Sequence, residues 1–211
     1  MNNHNQDTTS LGRHQVIAAV RALMPHRALT DHEARSVAER QAQRLSELLD
    51  LTGSVIDLDV IASLPRLDVQ HQGGLPVSGF SEWSRSRWVV AINSDDHWTR
   101  QRFTFAHELK HVLDNPYIDV LYPGSDRRPS SGRAEAICDY FAACLLMPRA
   151  AVRQAWVSGH QRVDDLASHF GVSRAAMGIR LAQLGLTEQS PRCGRLQRRR
   201  FERAGIPPSF A

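Results

Sequence analysis

The stretch Arg102-Phe103-Thr104-Phe105-Ala106-His107-Glu108-Leu109-Lys110-His111-Val112-Leu113 decides how this chain reads. Phe103, Ala106, Leu109, Val112 and Leu113 recur at helical spacing and predict an amphipathic helix. Asn115-Pro116 stops it, because proline cannot continue a helix. Within the stretch lies His-Glu-x-x-His. Residues four apart share one helix face, so His107 and His111 aim two imidazoles at one point, as tetrahedral zinc requires. Glu108 follows the first histidine and is placed to act as general base on a metal-bound water. In a chain with ten histidines, chance alone yields such a motif with a probability of roughly 2%. The helical context therefore carries more weight than the match itself.

Two histidines do not complete a catalytic zinc site, which takes three protein ligands and an open position for water. The third is expected in Arg133-Ala134-Glu135-Ala136-Ile137-Cys138-Asp139-Tyr140-Phe141-Ala142-Ala143-Cys144-Leu145-Leu146-Met147-Pro148, an alanine-rich run without internal Gly or Pro. Glu135 lies far enough after His111 for a second helix to pack across the first. Asp139, one turn on, is placed to accept a hydrogen bond from a ligand histidine and fix its ring. Cys138 and Cys144 lie on the same apolar helix and read as small core residues.

These two stretches resemble the ImmA/IrrE family of zinc metallo-endopeptidases. The resemblance rests on Arg102-Phe103-Thr104-Phe105-Ala106-His107-Glu108-Leu109-x-His111 and on Glu135-x-x-x-Asp139-x-Phe141-Ala142-Ala143-x-Leu145-Leu146-Met147-Pro148. It covers roughly residues 54 to 188. It implies a gluzincin-like core: ligand histidines His107 and His111, base Glu108, and a ligand glutamate, Glu135, on a following helix. It also implies Zn²⁺ as cofactor and a helix-turn-helix transcriptional repressor as substrate, whose cleavage relieves repression. The chain departs from the family at Lys110, its single lysine, where relatives usually carry glycine. That cation can narrow the site, pair with an acid or point to water. Asp139 stands where many relatives carry asparagine, and either accepts the same hydrogen bond.

The rest of the composition bounds the function. An apolar fraction of 42% over 211 residues is enough for a packed core. No run of 18 apolar residues exists, so no membrane span is expected. The first ten residues are polar and lack an apolar signal region, so no export is expected. Three cysteines without zinc-knuckle spacing fit a reducing, cytoplasmic setting. The net charge of +4 is concentrated at the end. From Ser190 on, six arginines stand against one glutamate, so the basicity belongs to the tail and not to the folded body.

Four regions follow: an N-terminal tail with brace helices (1–53), a metallopeptidase core (54–150), a helix-turn-helix-like segment (151–189) and a basic, disordered tail (190–211). Residues 1 to 12, with His4, read as a loose start. A short helix is expected over 13–24. Thr30-Asp31-His32-Glu33 is a capping box opening a brace helix through Leu49, which Gly53 ends. A short helix over 57–64 precedes strands at 67–71, 77–83 and 87–93, with turns at Gly73-Gly74 and Ser84-Arg85-Ser86. The strand 77–83 is the one expected to border the cleft and pair with extended substrate. His71 and His97 read as surface histidines. Tyr117 to Gly132 reads as a loop beside the metal, and Tyr117, Tyr122 and nearby arginines are candidate oxyanion donors. Asp164 to Leu186 reads as helix, turn, helix, with Gly171 at the turn and Ser173 as cap. Arg174, Arg180 and Gln183 are its candidate outward residues. So few base-reading side chains favour a structural or repressor-docking role over DNA contact. The arginine tail is the remaining route to nucleic acid.

The expected fold is thus α+β, a small mixed or antiparallel sheet on zincin-type helices followed by a helix-turn-helix-like segment. The competing function is a DNA-binding or antitoxin-binding regulator with a structural metal site. Such a site has closed coordination and no use for a base such as Glu108.

Overall fold

The computed structural model describes residues 12–124 and 130–186. The expectations for the N-terminal start, the basic tail and Cys193 fall outside them.

Helix α1 (Val16–Arg21) buries Val16 and Val20. Helix α2 (Asp31–Leu48) opens on the expected capping box: the Thr30 side chain accepts from the Glu33 amide, and the Glu33 carboxylate accepts from the Thr30 amide. It ends differently from the expectation. The left-handed residue after the helix is Asp50, at φ 50°, three residues before Gly53. Aspartate tolerates this conformation because its short side chain bonds locally. A short helix α3 (Asp59–Ala62) leads into the sheet.

Strands β1 (Leu67–Gln72), β2 (Gly79–Ser84) and β3 (Arg87–Asn93) form a mixed sheet in the order β1-β3-β2. β1 runs parallel to β3 and β2 antiparallel to it. The nearly all-apolar run of β3 occupies the centre, with Val90, Ala91 and Ile92 fully buried. The β2–β3 hairpin pairs Ser84 with Arg87, so Arg85 and Ser86 make a two-residue turn, at φ 47° and 63°. Positive φ at both central positions matches the twist of the strands, here without the usual glycine or asparagine. β2 is left as an edge strand.

Helix α4 (Trp98–Asp114) carries the His-Glu-x-x-His stretch and packs on β2 and β3 on one side and on α6 (Ser131–Leu146) on another. Arg21 of α1 donates to the Val112 and Leu113 carbonyls at 2.6 and 3.3 Å, which satisfies carbonyls that a helix end leaves unpaired. The segment expected as a loop after α4 is partly helical: α5 (Ile118–Leu121) buries Leu121, and Tyr122 is also buried. Buried apolar side chains, rather than propensity, hold this turn against the core.

α6 is the hub of the core. Phe141, Ala142, Leu145 and Leu146, with Met147 just after it, are fully buried, and α2 packs along it. Arg149 of α7 (Arg149–Val157) grips Glu39 of α2 with two hydrogen bonds of 2.8 and 3.0 Å. The sequence reading gave no helix at α7.

The last two helices, α8 (Val163–Phe170) and α9 (Arg174–Leu184), follow the expected pattern. Gly171 sits at φ 64° in the turn, and the Ser173 hydroxyl caps α9 by accepting from the Ala176 amide. The outward set is different. Arg180 is fully buried, donating to the Met147 carbonyl at 3.0 Å, with its guanidinium 5.8 Å from the Tyr140 ring centroid. Ile179, expected as packing, is 61% exposed. Arg180 has enough apolar stem to lie in the core while its head finds acceptors; a residue count along the helix cannot distinguish that from an outward cation. Arg102 of α4 ties this segment to the body, donating to the Gly171 and Ile56 carbonyls at 3.2 and 2.8 Å.

Candidate metal centre

α4 and α6 cross so that the residues singled out on each meet. His107 and His111 are one turn apart, and their Nε2 atoms lie 3.1 Å from each other. Glu135 reaches both from α6: one carboxylate oxygen is 3.1 Å from His107 Nε2 and the other 3.2 Å from His111 Nε2. Asp139, one turn further along α6, stands 2.9 Å from His107 Nδ1. That contact makes Nδ1 the protonated ring nitrogen and leaves the Nε2 lone pair facing His111 and Glu135.

Three electron-pair donors that converge at these separations repel one another unless a cation or proton lies among them. Nitrogen and carboxylate oxygen atoms about 2.0–2.2 Å from one shared zinc ion have similar mutual spacings. The donor set therefore fits a divalent metal. The same surroundings act on His107 itself: burial opposes its charge, but the Asp139 hydrogen bond and the carboxylates of Glu108, Asp139 and Glu135 outweigh that and raise its pKa above 6.5.

Glu108 is buried, and its carboxylate accepts a 2.9 Å hydrogen bond from Ser81 Oγ on β2. Ser81 was not singled out in the sequence, since a lone strand serine carries no local signal. Cys138 holds a larger surprise. It is 1% exposed, as expected of a core residue, yet its sulfur lies within 4.8 Å of ligand atoms of His107 and His111. Burial first, and the charge of Asp114 second, push its thiol well above the ordinary range. Its position three residues after Glu135 is a signal at helical spacing that the core reading passed over.

Lys110 resolves among its three options. It points away from the donors and is fully buried, with Nζ 2.5 Å from Asp114 Oδ1 and 2.8 Å from Gln41 Oε1. Tyr122 completes this network by donating to Asp114 Oδ2 at 2.7 Å. Tyr122 is thereby withdrawn from the list of oxyanion donors. Tyr117 lies against His26, with ring centroids 4.8 Å apart, and does not line the cleft.

His107 and Glu135 open onto a cleft of about 1140 Å³. One wall is α4 with Glu108 and Thr104; another is β2 and the segment before it, including Val77 and Gly79; a third is α9, through Ala176, Ile179 and Gln183. His97 lines it too, but its ring caps α4 by accepting from the Thr99 amide. His71 lines a separate cavity and bonds Gln101. The α9 wall could not be foreseen from sequence, because it depends on how the last two helices dock. No helix among the described residues is long and apolar enough to cross a membrane.

Known proteins resemble this chain in sequence and in fold. Two relatives are each named radiation response metalloprotease IrrE. The one from Deinococcus deserti is 33% identical over 92 residues, covering 42% of this chain and 29% of that protein. The one from Deinococcus radiodurans is 29% identical over 109 residues, covering 49% and 32%. The likeness thus spans about three tenths of each relative. Among solved structures, a Mycobacterium tuberculosis transcriptional regulator superposes with a TM-score of 0.51 at 19% identity, over 84% of this chain and 53% of that one. At that identity the likeness is one of fold. Residues 69–182, more than half of the chain and including both α4 and α6, match the peptidase family described as the IrrE N-terminal-like domain, and the chain belongs to that family.

Proposed function

We propose that this chain is a zinc-dependent endopeptidase whose substrate is a helix-turn-helix transcriptional repressor, so that cleavage relieves repression. The observation that carries the reading is the convergence of His107, His111 and Glu135 beside a buried, oriented Glu108 at the edge of an open cleft. The ion that His107, His111 and Glu135 would hold supplies a Lewis acid for the peptide carbonyl and lowers the pKa of water.

The remaining chemistry belongs to side chains. Glu108 takes the proton of the attacking water and passes it to the leaving amine. Ser81 holds the Glu108 carboxylate in one orientation through its 2.9 Å bond. Asp139 fixes the ring and tautomer of His107. The free edge of β2 offers main-chain groups to an extended peptide, which provides binding without a demand on sequence. Tyr140, Arg35 and Arg100 line the cleft and are candidates to stabilise a developing oxyanion.

The competing reading, a DNA-binding regulator with a structural metal, loses support from α9. Arg180 is spent on the core, and Gln183 lines the cleft, which leaves that helix poor in side chains for base edges.

The decisive comparison is wild type against Glu108→Gln. Both are assayed for metal by mass spectrometry, and for cleavage of helix-turn-helix repressors from the same genome. Wild type should carry about one zinc per chain and cut; Glu108→Gln should keep the zinc and not cut. Cleavage by Glu108→Gln at the wild-type rate would remove the general-base role. A zinc-loaded wild type that cuts a general peptide library but no repressor would leave the peptidase and remove the substrate.

A further inference from the structure

Reading His107, His111 and Glu135 as a metal set leaves one adjacent donor without a task. Cys138 lies on α6 between Glu135 and Asp139 in sequence, so its side chain points to the same α4-facing side of the helix. Its sulfur forms a cluster with His107 and His111 in which all three candidate ligand atoms lie within 4.8 Å of one another. Cys144, six residues along the same helix and also buried, is not part of that cluster. Glu135 and Cys138 approach the histidines from opposite environments. The Glu135 side chain is 54% exposed and faces the cleft, whereas Cys138 is 1% exposed and does not line it. The two histidines are thus flanked by a hard oxygen donor on the open side and a soft sulfur donor on the closed side.

We propose that Cys138 is a further donor to the metal held by His107 and His111, contributing a thiolate from the buried side of the site. The proposal rests on the metal-centre reading above. A sulfur–metal bond forms, the thiol proton leaves to solvent, and no electron changes hands. With Glu135 in place this makes four protein ligands around the ion. Water or peptide then enters by displacing one protein donor or by a fifth coordination position. The sulfur also biases the site toward thiophilic ions such as Zn²⁺, Co²⁺ and Cd²⁺, and against Mn²⁺ and Mg²⁺, which prefer oxygen.

Cobalt reports on this directly, because thiolate–Co²⁺ bonds give a near-ultraviolet charge-transfer band. The full chain loaded with Co²⁺ should show that band. Cys138→Ala should lose it and bind Co²⁺ at least about tenfold more weakly, since even partners outside the first layer of ligands contribute that much. Cys144→Ala and Cys193→Ala should retain it. Cobalt binding without a thiolate band, a band that survives Cys138→Ala, or one lost in either control variant would overturn the role of Cys138 and leave the metal centre standing. A folded wild type that takes up neither Co²⁺ nor Zn²⁺ would overturn both.

Discussion

Replacing Lys110 by methionine tests the buried network that braces the metal-bearing helix. The Lys110 and Asp114 side chains are each 1% exposed, and if Nζ is removed the hydrogen bond left to Asp114 among the described residues is that of the Tyr122 hydroxyl, with the Arg21 charge nearby. Methionine fills most of the lysine stem, so the change isolates the charge. Removing one partner of a buried, hydrogen-bonded pair leaves an uncompensated carboxylate and costs about 3–5 kcal/mol. For a domain of this size that lowers Tm by roughly 6–20 °C. The double variant Lys110→Met, Asp114→Asn removes the stranded charge while keeping an acceptor for Tyr122, so it should recover most of the loss. The assay is urea and thermal unfolding of the metal-free protein followed by circular dichroism. The folded single variant should still bind metal, because Nζ touches Asp114 and Gln41 and none of the donor atoms. A single variant that costs under about 1 kcal/mol, in the range of ordinary surface changes, would refute the reasoning. So would a double variant as unstable as the single one.

Two further predictions concern the site. Gly79→Ala places a Cβ 2.5 Å from Thr104 Cγ2 and 2.7 Å from the Ala91 carbonyl oxygen; the threonine can shift but the paired strand cannot. It should cost about 1–3 kcal/mol, read as a lower Tm with metal stoichiometry unchanged, and a Tm within about 1 °C of wild type would contradict the close approach of β2 to α4. Asp139→Ala should weaken metal binding about 10–100-fold and also change its pH dependence. Protonated His107 cannot bind metal, so although burial favours the neutral ring, the Asp139 hydrogen bond that raises its pKa strengthens proton competition with the metal. In metal-free protein, the stability gained from this charged histidine is complete below the ordinary value and disappears as pH rises through the folded one. Removing Asp139 should lower the pH below which zinc affinity begins to fall, read from zinc dissociation constants measured across pH, and an unmoved onset would separate Asp139 from His107.

Much of this protein was legible in one dimension because its signals are local. Helical spacing put His107 with His111 and Glu135 with Asp139, and the capping box, the Gly171 turn and the Ser173 cap each follow from a few adjacent residues. The α+β class and the three strands followed from periodicity and turn residues in the same way. What the chain alone left open depends on contacts between distant segments. Nothing near Lys110 indicates that Gln41 and Tyr122 will close around it and Asp114. Nothing near Ser81 indicates that it will meet Glu108, 27 positions on. The reading of Cys138 as core was right about burial, but only the crossing of α4 and α6 reveals what it is buried beside. Arg180 and Ile179 exchanged their expected places because the docking of α9 on α6 selects which helix face is inside. A sequence states which residues share a face; the packing of one face against another, which fixes the cleft, its walls and the donors behind the histidines, is decided only when the helices and sheet close together.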